Sequence, residues 1–232
     1  ISRGFLFGLA EPFTHVGGVL TYALEKVDFA FGVVNGWDQQ DDANEAKTWV
    51  GKAGFNFGDP LTFTISGYHG AEQASVSTVN DDPNTLLVDE TVVGDDKKGD
   101  NRSSLDLTGV TKLIPKVDLW FQANWGYEEN AAGGRDDKWS GFTIQPVVKI
   151  TDKFSLGFRY ENFFNDNGSR VGGTQDVSLA NFTIAPAYKL TDNVLVRAEL
   201  RQDDSNKKVF QDDKAKAEDS QTTGAVQVAI TF

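Results

Sequence analysis

Cysteine is missing from all 232 residues, which removes disulfide frameworks, thiol nucleophiles and thiolate metal sites. Methionine is missing too, even at position 1, so the chain is expected to be processed or to begin partway through a longer product, with no signal peptide left to read. Histidine occurs only at His15 and His69, and neither has a serine, aspartate or other carboxylate at a spacing that would activate it. No stretch approaches the roughly 20 apolar residues of a membrane helix. That excludes a helical membrane protein only, because a membrane barrel spreads its lipid-facing residues over every second position. Basic residues are few, 22 against 34 acidic ones, and the net charge of −12 argues against nucleic acid as a partner. There is no glycine-rich phosphate loop and no metal-ligand cluster, so the chain reads as non-enzymatic and without a cofactor.

What is present is alternation. Phe142-Thr-Ile-Gln-Pro-Val-Val-Lys-Ile-Thr-Asp152 and Phe182-Thr-Ile-Ala-Pro-Ala-Tyr-Lys-Leu-Thr-Asp192 repeat one device, a strand running into a tight turn. In the first copy Phe142, Ile144, Pro146, Val148 and Ile150 share one face and Thr143, Gln145, Val147 and Lys149 the other, the period of a β-strand. Similar runs recur along the whole chain and give about twelve strands if Phe5, Phe7 and Leu9 of the opening stretch form one. That stretch reads equally well as a segment folded inside a pore. Pro146 and Pro186, at the same place in the repeat, suggest a bulge near one rim. Composition shows no break, so residues 1–232 read as a single domain.

Alternation alone fits a soluble sandwich as well as a membrane barrel, so other features decide. Tight turns near residues 25, 59, 115, 152 and 192 alternate with long polar loops near 40, 85, 133, 170 and 212, the asymmetry of outer-membrane barrels. Aromatic residues crowd strand ends, among them Tyr22, Trp37, Trp49, Phe57, Trp125, Tyr127, Trp139, Tyr160, Phe163 and Tyr188, as interfacial girdles require. Strands of about 10 to 12 residues suit a tilted crossing, and the chain stops on Phe232 in an apolar alternating run. The expected fold is all-β, a transmembrane antiparallel up-and-down barrel in the bacterial outer membrane, with room for further strands upstream.

Arg3-Gly-Phe-Leu-Phe-Gly-Leu-Ala-Glu-Pro-Phe-Thr-His-Val-Gly17 and Phe31-Gly-Val-Val-Asn-Gly-Trp-Asp38 resemble the OmpL-like β-barrel porins (porin-2 type) of Gram-negative outer membranes. The resemblance implies passive diffusion of small polar solutes, with outer-membrane lipid and lipopolysaccharide as surroundings, and supplies no catalytic residue. Function would then lie on the charged face. The expected pore-lining residues are Asp28, Lys52, Asp106, Lys112, Asp118, Glu128, Lys149, Arg159, Glu161, Lys189, Arg197, Glu199 and Arg201. Opposed basic and acidic walls would set a transverse field; pairing between neighbouring strands would instead plug a narrow barrel. A non-conducting barrel that binds a partner through its acidic loops is the alternative function. Acidic pairs such as Asp95-Asp96 and Asp212-Asp213 read as solvated loops rather than cation sites. A homo-oligomer is left open.

Overall fold

The repeated Thr-Asp device shows how local chemistry builds the sheet. In the computed structural model the Thr151 hydroxyl accepts hydrogen bonds from the Lys153 and Phe154 amides at 3.3 and 2.9 Å, and the Thr191 hydroxyl accepts from Asn193 at 3.3 Å. Each threonine closes its own turn, so the following strand starts in register. The structure describes residues 2–41, 46–73, 76–79, 90–93, 100–131 and 135–231.

Eleven strands form one antiparallel sheet with neighbours in chain order. They are β1 (Gly17–Ala23), β2 (Val27–Val34), β3 (Thr48–Asn56), β4 (Leu61–Gln73), β7 (Asp100–Thr111), β8 (Val117–Glu128), β9 (Asp137–Lys149), β10 (Phe154–Asn165), β11 (Val177–Thr191), β12 (Val194–Ser205) and β15 (Ser220–Ile230). Two short ribbons stand in the long connections: β5 (Val76–Val79) with β6 (Glu90–Val93), and β13 (Phe210–Gln211) with β14 (Ala217–Glu218). The remainder of the acidic 81–100 excursion, including Asp95-Asp96, and the terminal Phe232 lie outside the described residues. Every connection expected to be tight is tight; that between β3 and β4 turns on Gly58, whose φ of 81° only glycine adopts without strain. Among the described residues β1 and β15 do not pair with each other, so the sheet keeps two edges.

The opening stretch is not the twelfth strand. Leu6–Ala10 coils into a single π-helical turn, and the segment from Ser2 to Val16 lies across one face of the sheet. Nor do Pro146 and Pro186 make bulges. Pro146 stays opposite Leu119 and Pro186 opposite Leu156, and the registers of β9 with β10 and of β11 with β12 are the same before and after each proline. Lacking an N–H, each proline drops its ladder bond to the following strand and nothing more. The one shift in that region falls later, between Lys189 and Thr191.

The two faces differ in what they show to their surroundings. Leu20, Phe31, Trp49, Leu105, Phe142, Phe182, Leu200 and Val226 form an apolar face left open, Leu20 to 82% and Val226 to 77%. So large an oily surface has no aqueous equilibrium partner and marks contact with lipid. Phe121, Phe158 and Val196 are half-buried and belong to no dry centre. Strands of 12 residues, such as β8 and β10, rise about 28 Å when tilted by about 45°, close to the hydrocarbon thickness.

Candidate functional site

The polar face is organised by the strap that crosses it. Glu161 on β10 accepts from the backbone amides of Phe5 and Leu6 at 2.7 and 2.9 Å. Glu199 on β12 accepts from the Ser2 amide at 3.1 and 3.2 Å. Arg159 donates to the Ser2 carbonyl at 2.8 Å and Arg201 to the Arg3 carbonyl at 2.7 Å. Further along, Arg170 donates to the Leu9 carbonyl at 2.7 Å, and Asp38 accepts from the Phe13 and Thr14 amides at 2.5 and 2.7 Å. A chain segment without ladder partners must satisfy its buried amides and carbonyls somehow; here charged wall side chains do it. Gly4 allows the approach, since a β-carbon there would overlap the Glu161 carboxylate.

Beneath the long loops the strap closes a small hydrophobic cluster. Leu6 and Ala10 pack with Trp37, Tyr68, Trp139, Phe163, Val177 and Leu179, all buried. Trp37, Trp139 and Phe163 are therefore not girdle residues: period-two alternation puts Trp139 on the face of Thr143 and Phe163 on the face of Glu161. Tyr22, Trp49, Phe57, Trp125, Tyr160 and Tyr188 are exposed as a girdle needs. The Trp139 indole occupies the space a β-carbon on Gly126 would take, and its Nε1 donates to Asn124 at 3.0 Å.

A latch of charge and aromatic rings holds the loops over this cluster. The Arg170 guanidinium, in the 3-10 turn Ser169–Val171, sits 4.8 Å from the Trp37 ring centre and 4.9 Å from that of Trp139. Arg102 also lies against the Trp37 ring, at 5.0 Å, and pairs with Glu128. Each such contact contributes about 0.5–2 kcal/mol, the upper end when desolvated. Burial, and then the charge of Arg102, lower the Arg170 pKa to about 10, which leaves it cationic at neutral pH. Glu72 ties the β2–β3 loop to the wall, accepting from the Trp37 amide at 2.7 Å, the Thr48 hydroxyl at 2.7 Å and the Tyr68 hydroxyl.

The charged residues expected on this face are distributed as follows. Arg159, Glu161, Glu199 and Arg201 meet around the strap. Asp106 is buried and accepts from Gln122 and Asn124 at 2.8 and 3.0 Å, while Gln122 also donates to Glu11 of the strap. Burial first, and then the charge of Asp106, raise the Glu11 pKa to about 7. Asp28 pairs with Lys52 at 2.8 Å and Asp118 with Lys149 at 2.7 Å. Lys112 and Lys189 stand at the short-turn rim beside Asp59 and Asp192, at 3.4 and 2.9 Å. Arg197 donates to the neutral Gln227 at 2.9 Å. Opposite charges thus interleave strand by strand rather than forming two opposed walls. His15 stacks on Tyr68 at 6.0 Å, and His69 shares a 2.8 Å hydrogen bond with Ser103.

Sequence reasoning missed Asp38, Glu72, Arg102, Arg170 and Asp203. Asp203, which accepts from Arg201 at 2.7 Å, simply continues the alternation Arg197, Glu199, Arg201, and the signal was legible there. Asp38 and Arg170 act from loops, where no period exists to reveal a direction.

A family model described as "Putative beta-barrel porin-2, OmpL-like" matches residues 1–232. No curated protein matches the chain. Among solved structures, OmpT of Vibrio cholerae is similar at 15% identity and a TM-score of 0.60, over 91% of this chain and 62% of its own. The anion-selective porin of Comamonas acidovorans is similar at 14% and 0.61, over 96% and 64%. The outer-membrane channel DcaP of Acinetobacter baumannii is similar at 11% and 0.59, over 92% and 61%. The chain spans about three fifths of the length of these structures.

Proposed function

Because the chain belongs to the OmpL-like β-barrel porin-2 family of the outer membrane, we propose that its polar face lines a water-filled passage for diffusion of small polar solutes. The expected pore-lining residues, Asp28 through Arg201, fall within that reading, and the strap narrows the passage. The observation that carries it is the way the strap is held. Its backbone is fixed to the wall by Glu199, Arg159, Arg201, Glu161, Arg170 and Asp38, yet recesses of about 560 and 290 Å³ stay open on the polar face. A constriction needs such a fixed edge beside free space. Interleaved charges, neutral around the strap with Arg159, Arg197 and Arg201 against Glu161, Glu199 and Asp203, make the passage weakly selective. Trimeric assembly, named for one form of the Vibrio cholerae OmpT structure, is the oligomer to look for.

Planar-bilayer recording of the purified protein tests this. Stepwise current in potassium chloride is expected; its complete absence would overturn the channel. The alternative, a non-conducting barrel that binds a partner through its acidic loops, draws support from the dry cluster around Trp139, which fills part of the polar face. Under it, deletion of residues 81–100 abolishes partner binding.

A further inference from the structure

The 560 Å³ recess differs in chemistry from the charged wall around the strap. Two adjacent rows of cross-strand partners line it. In one, Thr64 on β4, Thr108 on β7, Gln122 on β8 and Thr143 on β9 lie opposite one another in turn. In the other, Trp120 lies between Val110 and Gln145. Neither row holds a formal charge. At about 4.8 Å between strands, the four-strand row is about 14 Å long.

Trp120 is the unusual member. Its neighbours on the apolar face meet lipid, but Trp120 alternates with Asp118 and Gln122 and so stands on the polar face, 51% exposed. It belongs neither to the buried cluster nor to the strap's contacts. An indole half open to water on a polar face marks a binding surface. Among the described residues, the side chains of Thr64, Thr108, Trp120 and Gln145 make no hydrogen bond to protein, so their donors and acceptors are available to a solute. Of the ions around it, Asp28 and Asp118 are matched by Lys52 and Lys149, and Glu11 and Asp106 are both held by Gln122.

A flat apolar ring flanked by uncharged hydroxyl and amide groups complements a molecule with one C–H face and an equator of hydroxyls. It offers nothing to a carboxylate or phosphate. Resting on the reading of the polar face as water-filled, we infer that this recess is a binding site for neutral saccharides of two or three rings, stacked on Trp120 and hydrogen-bonded by Gln145, Thr64 and Thr108.

Titration calorimetry of the full chain, folded in a detergent without a sugar headgroup, tests the inference with raffinose and with sodium glucuronate. Raffinose should bind in the millimolar range and glucuronate more weakly. Trp120→Ala should weaken raffinose binding about tenfold, and Trp120→Phe should retain most of it. If Trp120→Ala does not fold, Gln145→Ala serves instead, with a several-fold loss expected. Absence of raffinose heat, unchanged affinity in the variant that folds, or tighter binding of glucuronate would overturn the assignment. A protein that conducts in salt but ignores raffinose fails this inference alone; one that binds raffinose and carries no current fails the channel alone.

Discussion

The Glu161 carboxylate accepts from the Phe5 amide at 2.7 Å across 156 residues of sequence, and the same side chain holds the next amide, that of Leu6. Two charge-assisted bonds from one buried side chain make Glu161 a mooring of the strap, each contributing about 1.5–3 kcal/mol. Glu161→Ala should free the segment. Single-channel conductance should rise and trypsin should cut after Arg3 more readily than in the parent protein; unchanged values for both would show that the mooring lies elsewhere.

Trp139 closes the cluster against Gly126, and its removal leaves a large void with Asn124 short of a partner. Trp139→Ala should destabilise the fold by about 3–5 kcal/mol. Urea unfolding followed by circular dichroism should show this against Trp125→Ala, a change on the lipid face that leaves the cluster intact.

Arg197 faces a neutral amide, whereas Arg201 faces a carboxylate. Removing the Arg197 charge should therefore alter ion preference more than removing that of Arg201. About 10 Å from a passing ion in water, one charge is worth about 0.4 kcal/mol, a factor of about 2. Arg197→Gln should shift permeability toward cations by about that factor, read as the reversal potential in a potassium chloride gradient.

Glu11 has its pKa raised from 4.5 to about 7 by burial and by the charge of Asp106, with a smaller push from Glu161 and a partial offset from Gln122. The folded state thus binds a proton more tightly than the unfolded chain, and the stabilisation is complete below about 4.5 and lost as pH rises through about 7. Since Glu11 is only half-buried, solvent screening reduces the effect to about 1 kcal/mol. The urea midpoint should fall between pH 5 and pH 8, and Glu11→Gln should flatten that part of the dependence.

The strand plan was legible because alternation and turn chemistry are local: the Thr-Asp repeats, Gly58 and the lipid-facing residues all stand where their neighbours dictate. The strap was ambiguous for the converse reason. Phe5, Phe7 and Leu9 alternate as a strand would, and only Glu161 and Glu199, far along the chain, decide that their backbone coils instead. Trp139 and Phe163 were misread as girdle residues because aromatic content near a strand end does not report its face; parity with Thr143 and Glu161 does. The pairing of Asp28 with Lys52 and of Asp118 with Lys149 depends on register between strands, which single strands do not encode.

The wall grips the strap largely by main-chain amides and carbonyls, while the side chains of Arg3, Phe7 and Phe13 pack on one another within the strap. Variation at Arg3 or Phe7 can therefore recast the width and charge of the opening while the moorings stay in place, so permeability can drift between relatives, or be engineered, without rebuilding the barrel.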